Sequence, residues 1–176
     1  MVGVGALLGC GTGSGPNSAI PVRIIHGQEA GPLDVGDITG NDFTGPLTLG
    51  EPFEYGGMII HNTSSHDVRV SEVRPYRLSY ALQLLALQAW LIPKDAHEGL
   101  PLAWRVWPLE DPRARSAVPA RNFTVPGHRH VQILFGLRPR RVGVFRLEGA
   151  RLKFVASGQH YDWTLRDILI ARVKAH

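Results

Sequence analysis

The sequence predicts an all-β chain, an antiparallel β-sandwich of about seven or eight strands. Three observations carry this expectation. Short apolar runs alternate with polar residues at a period of two, as strands with one face on a core require. Turn-forming residues interrupt the runs at roughly the 8–12-residue spacing typical of sandwiches. Gly and Pro together supply 33 of 176 residues, which favours short elements and many turns.

The elements follow in order. Residues 11–42 are rich in Gly, Pro, Asp and Asn, with one apolar patch at 20–25 that reads as a first strand or as a stretch docked on a sheet edge. Residues 47–49 form a short run before Glu51-Pro52, and 53–61 run into the turn formers Asn62-Thr63-Ser64-Ser65. Residues 68–73 alternate and stop at Pro75. From 76 to 92 two periods compete. Leu78, Leu82, Leu85 and Ala89 fit a helical face with Ser79 as cap; Leu82, Leu84, Ala89 and Leu91 fit a strand. The flanking strands and Pro93 favour the strand. Residues 93–126 are proline-rich and irregular, with Trp104 and Trp107 expected over the core edge. Val131, Ile133, Phe135 and Leu137 alternate as a strand, and 142–147 continue after the basic turn Arg138-Pro139-Arg140-Arg141. Residues 151–156 and 160–165 flank Ser157-Gly158-Gln159 as a hairpin, and 166–173 close the chain. Residues 1–40 are thus expected as leader and tether, and 41–176 as one sandwich domain, a usual domain length.

Charge is polarised along the chain. The net charge of +4 resolves into −6 over residues 1–67, +2 over 68–120 and +8 over 121–176. Antiparallel pairing either intermixes these segments or collects the bases into a patch that would steer an anionic partner or phospholipid surface. Arginine outnumbers lysine sixteen to three, a coding bias rather than nucleic-acid chemistry, because no basic helix, glycine–aromatic RNA signature or zinc-finger spacing accompanies it. Nucleic acid is therefore not an expected partner.

Several classes of chemistry find no support. One cysteine provides neither an intramolecular disulfide nor a cysteine-built zinc site. No Gly-x-Ser-x-Gly elbow occurs in a strand–turn–helix setting and no phosphate loop is present, so no catalytic residues and no cofactor are expected. Asp162 and Asp167 form a conceivable carboxylate pair, but their neighbours suggest strand surface and cross-strand ion pairing. Among eight histidines, His128 and His130 are the best metal candidates, since residues two apart on a strand share a face; His61, His66 or His160 would complete a zinc or copper(II) site. Asn62-Thr63-Ser64 and Asn122-Phe123-Thr124 match the glycosylation pattern but read as turns.

The opening, Met-Val-Gly-Val-Gly-Ala-Leu-Leu-Gly-Cys followed by Gly-Thr-Gly-Ser-Gly, resembles the lipobox of bacterial lipoproteins. That resemblance implies cleavage before Cys10, a lipid on its sulfur, and a flexible tether holding the domain off a membrane. No Lys or Arg precedes the apolar run, which departs from the family pattern: either the start lies upstream of Met1 or the segment is no signal. The order of the remaining elements is a strand ending in Asn62-Thr63, then 68–75, a proline-rich excursion, Phe135-Gly136-Leu137-Arg138-Pro139, and a Gly-centred hairpin bearing Tyr161. It resembles the immunoglobulin-like domains of uncharacterised exported proteins in GC-rich bacteria, and implies an immunoglobulin-like sandwich and export.

Together these features predict a non-catalytic, exported module on the outer face of the cytoplasmic membrane or at the cell surface, anchored through lipidated Cys10. Its expected partner is an envelope protein or an anionic surface, met by Trp104 and Trp107 and by the basic turn residues Arg138, Arg140 and Arg141. The alternative is an extracytoplasmic metal-binding protein using His128 and His130.

Overall fold

A computed structural model of the chain describes residues 24–26, 31–35, 46–94, 96, 107–108 and 111–175. These residues form eleven strands: β1 (Ile24–His26), β2 (Leu33–Val35), β3 (Pro46–Thr48), β4 (Phe53–Asn62), β5 (Val68–Pro75), β6 (Leu82–Leu91), β7 (Val118–Pro119), β8 (Arg121–Val125), β9 (His130–Pro139), β10 (Gly143–Ala156) and β11 (Gln159–Lys174). A 3-10 turn spans Pro112–Ser116. Among the described residues no helix is long and apolar enough to cross a membrane.

The strands make two sheets packed as an immunoglobulin-like sandwich. The first has the order β1-β11-β10-β5-β8, with β3 also on β11; the second has the order β2-β4-β9-β6-β7. Pairing is antiparallel except where β1 and β3 run parallel to β11. β1 and β2 both precede residue 41, so the boundary expected there does not mark where pairing begins. The reason is visible at β2, where Leu33 is buried against the core and Val35 packs beside it.

Residues 82–91 are a strand, paired to β9 from Leu82 to Leu91. The helical period there is an accident of leucine spacing, made readable by a register shift between Leu84 and Ala86. The final four expected segments are two long strands. β10 runs through residues 148–150, where a bulge between Leu147 and Gly149 breaks the alternation. β11 continues as one strand through Arg166-Asp167, although its register against β10 shifts between Arg166 and Leu169.

The core lies between the sheets. Leu147, Leu152, Phe154 and Leu165 of the first sheet meet Ile60, Ile133, Phe135 and Leu137 of the second, all buried. Each such side chain contributes roughly 1.5–3 kcal/mol by leaving water. At one edge the chain changes sheets between β7 and β8, and Ala120 joins the two. Its N–H donates to the Leu87 carbonyl of β6 at 3.0 Å, and its carbonyl accepts from the Val73 N–H of β5 at 3.1 Å.

Two buried polar contacts join the sheets among the described residues: Asn62 Nδ2 of β4 donates to the Val125 carbonyl of β8 at 2.9 Å, and a side-chain pair lies within the core. The Tyr55 hydroxyl of β4 donates to Asp167 Oδ2 of β11 at 2.6 Å. Burial raises the Asp167 carboxyl above its ordinary value, while the hydrogen bond from Tyr55 pulls it back down. The same burial, with the carboxylate alongside, pushes the Tyr55 hydroxyl far above its usual range, so it stays a neutral donor. Gly57 makes room for the pair, since a Cβ there would collide with the Tyr55 hydroxyl and lie 2.6 Å from Asp167 Oδ2.

Hydrogen bonds to charged groups are worth about 1.5–3 kcal/mol. Tyr55→Phe is therefore expected to lower unfolding stability by about that amount in urea denaturation. In an Asp167→Asn background the same substitution costs less, because the two groups act as one unit. Equal losses in both backgrounds refute the coupling.

Candidate functional site: a basic sheet face

The four strands β5, β8, β10 and β11 carry nine bases: Arg69 and Arg74; Arg121; Arg146, Arg151 and Lys153; Arg166, Arg172 and Lys174. All nine are exposed. The alternation explains it. On β11 the inward row is Trp163, Leu165, Asp167, Leu169, Ala171 and Val173, which leaves Arg166, Ile168, Ile170, Arg172 and Lys174 on the outer row. Outward acids on these strands are three, namely Glu72, Glu148 and Asp162. The strands of the second sheet carry only Asp34, Glu54 and Arg138. The basic C-terminal segments are thus collected on one outer face rather than intermixed.

The face has two halves. Toward the β10–β11 turn most charges are matched, Arg69 and Arg121 excepted: Arg151 makes two hydrogen bonds to Asp162, each 2.6 Å, and Glu72 is shared between Arg74 and Lys153. Glu148 takes Arg77 at 3.0 Å. Toward the start of β10, Arg146, Arg166, Arg172 and Lys174 have no carboxylate partner among the described residues. Their neighbours are aliphatic. Register sets Val144 opposite Arg172 and Arg146 opposite Ile170. Val144 is 60% exposed, Val142 55% and Ile168 40%.

The turn bases lie beside this half. Arg140 donates to Gln83 Oε1 through Nε at 3.0 Å, and the Arg141 guanidinium sits 5.0 Å over the ring of exposed Tyr80. Arg138 instead faces outward from the second sheet, half-buried. Trp107 also lies on that sheet: its indole covers Gly136, where a Cβ would come within 2.5 Å of Cε2. One face of the ring is therefore used within the fold. Cys10 and Trp104 lie outside the described residues.

The histidines group differently from the expectation. His128 is in the turn before β9 with φ of 56°, so it does not share a strand face with His130. The cross-strand partner His61 lies against His130 instead, rings 4.1 Å apart and 9° from parallel. Nitrogen lone pairs lie in the ring planes, and near-parallel planes do not converge on one ion. Among the described residues no group of three His, Cys, Asp or Glu side chains gathers around a common point. Asp162 and Asp167 likewise point to opposite faces, as an odd spacing on a strand demands. Asp167 is an interior residue, not strand surface.

An apolar groove of about 730 Å³ opens between edge strands β7 and β8, lined by Leu91, Val118, Phe123 and Val131 among others. Among the described residues Arg121 is the single ionisable group lining it.

Partial burial, then His61 and Arg129, hold the His130 imidazole below its ordinary value of 6.5. The unfolded chain therefore binds more protons than the folded one just below that value, and stability falls as pH drops through it. Denaturation midpoints at about pH 7.5 and about pH 5.5 are expected to differ less in His130→Gln than in the parent. An unchanged difference shows that this imidazole is not strained by its neighbours.

No protein-family model matches the chain, and no curated protein matches it. Among solved structures it is similar to the ASH / PapD-like domain of human CEP192 (PapD-like domain 7), with 13% identity and a TM-score of 0.43, over 82% of this chain and 87% of that one.

Proposed function

We propose that the chain is a non-catalytic β-sandwich module, held at the outer face of the cytoplasmic membrane or the cell surface by a lipid on Cys10, that engages an anionic partner. The observation that carries this reading is the outer face of the first sheet, with nine exposed bases against three acids. Such a face raises the local concentration of an anion and orients the domain toward it. The interior supports a binding role. Its polar pair, Tyr55 and Asp167, is buried between the sheets and does not line the apolar groove. No cofactor enters this reading. The segment Leu7-Leu8-Gly9-Cys10 with its Gly/Ser tether supports the anchor.

Fractionation of cells expressing the chain with its native upstream sequence tests the anchor. After a high-salt wash, which strips protein held to the membrane by charge alone, the parent is expected with membranes and Cys10→Ala in the wash. If both variants partition alike, lipid anchoring at Cys10 is wrong.

A further inference from the structure

We infer that the anionic partner is the phospholipid bilayer itself, met by the half of the basic face formed by Val144, Arg146, Arg166, Ile168, Ile170 and Arg172. The inference takes from the preceding reading that the domain works at a membrane; it does not depend on the lipid at Cys10.

Three features select a bilayer over a soluble polyanion. The first is where the free charge lies. Bases near the β10–β11 turn are matched by Asp162 and Glu72, whereas Arg146, Arg166, Arg172 and Lys174 have no carboxylate among the described residues. This second half gathers four unpaired cations ready for phosphate, where the remainder of the face leaves only Arg69 and Arg121 without an ion pair among the described residues. The second is the aliphatic content of the same half. Val144 and Ile168 are exposed, Ile170 half-exposed, and they stand between the bases: Val144 opposite Arg172, Ile170 opposite Arg146. A nucleic acid rewards bases and ring stacking but gives branched aliphatics nothing to leave water for. A bilayer rewards both, since phosphates meet the guanidinium groups while the aliphatic side chains enter the headgroup–acyl boundary. Val142 and the Arg141–Tyr80 pair extend the patch at its rim. The third is placement. β1 pairs with β11 in the first sheet, and Cys10 precedes Ile24 by fourteen residues, a span of at most about 50 Å when extended. That length lets the face reach the leaflet that would hold the anchor.

The full chain carrying Cys10→Ala, and so without any acyl group, is the material for the test. It is sedimented with vesicles of phosphatidylcholine alone and of phosphatidylcholine mixed with phosphatidylglycerol, and titrated separately with duplex DNA. Binding is expected to the mixed vesicles only, and to weaken as salt rises. Each base near an anionic leaflet is worth about fivefold, so Arg166→Gln/Arg172→Gln is expected to weaken vesicle binding about 25-fold. Arg146→Gln/Lys174→Gln is a second pair for the same purpose, and Arg151→Gln, in the matched half, is expected to leave binding within about twofold. Val144→Ser/Ile168→Ser is the deciding variant, expected to weaken vesicle binding while leaving the residual affinity for DNA unchanged. Failure to bind the mixed vesicles overturns the inference, as does vesicle binding indifferent to Val144→Ser/Ile168→Ser, or DNA bound as tightly as the mixed vesicles. None of these results touches the anchor, which the fractionation of Cys10→Ala reads independently.

Discussion

Which row of β11 faces inward decides both the core and the basic face, and the Tyr55–Asp167 hydrogen bond holds that choice. Side chains on a strand alternate, so a one-residue slip would carry Arg166, Arg172 and Lys174 into the interior and turn Leu165, Leu169 and Ala171 out to water. Hydrophobic pattern alone resists the slip, but Asp167 sits in the apolar row and needs a partner there. It finds one on the opposite sheet, so the bond fixes the inward row of β11 and the position of β4 against it together. A buried carboxylate is costly when unpaired, which makes any arrangement that parts the two residues unfavourable. Polar specificity and apolar packing therefore point to the same register.

The two outer faces then divide the surface chemistry. The second sheet is covered on its outside: Trp90, Ile92, Ala114 and Leu134 form a separate buried cluster, with Ile59, Ala96 and Ala117 against it. Trp107 lies on Gly136 of the same sheet. Gln132, also buried there, donates to the Gly56 carbonyl at 2.6 Å. A face sealed in this way has little place for solvated charge. The first sheet, open outside, takes the bases, and its small set of acids sits where cross-strand neighbours hold them.

The sandwich was legible in the sequence because period-2 alternation and turn residues are local signals. So was the hairpin at Ser157-Gly158, and so was the excess of bases after residue 121. The patch itself was not, because it depends on topology: β5 and β8 join β10 and β11 in one sheet across long sequence separations, and composition by segment does not say which strands become neighbours. The His61–His130 contact is of the same kind, set by the register of β4 against β9. Asp167 left a signal that was not used. Its distance of five from Asp162 is odd, so if one residue faces solvent the other faces the core. Trp107 over Gly136 had no such signal, since a glycine cleared for an indole looks like any strand glycine.

The division of the basic face into matched and unmatched halves follows from how far β5 reaches. β5 pairs with β10 only between Val155 and Ala150, and there it supplies Glu72 to the bases around it. At the bulge after Leu147 the ladder with β5 has ended, and the segment after Pro75 adds another base, Arg77, rather than an acid. At the bulge Asp167 and Ile168 of β11 stand against the single residue Glu148 of β10, and Glu148 is drawn to Arg77. Across it the inward positions of β10 change parity, from Phe145 and Leu147 to Ala150, Leu152 and Phe154. Past that point the outer positions of β10 and β11 are bases and aliphatics alone, with β3 paired along β11 from Arg172 to Lys174. The charge excess is thus concentrated where the hairpin outruns its neighbour, and the same geometry that removes the acids also leaves Val144 and Ile168 uncovered.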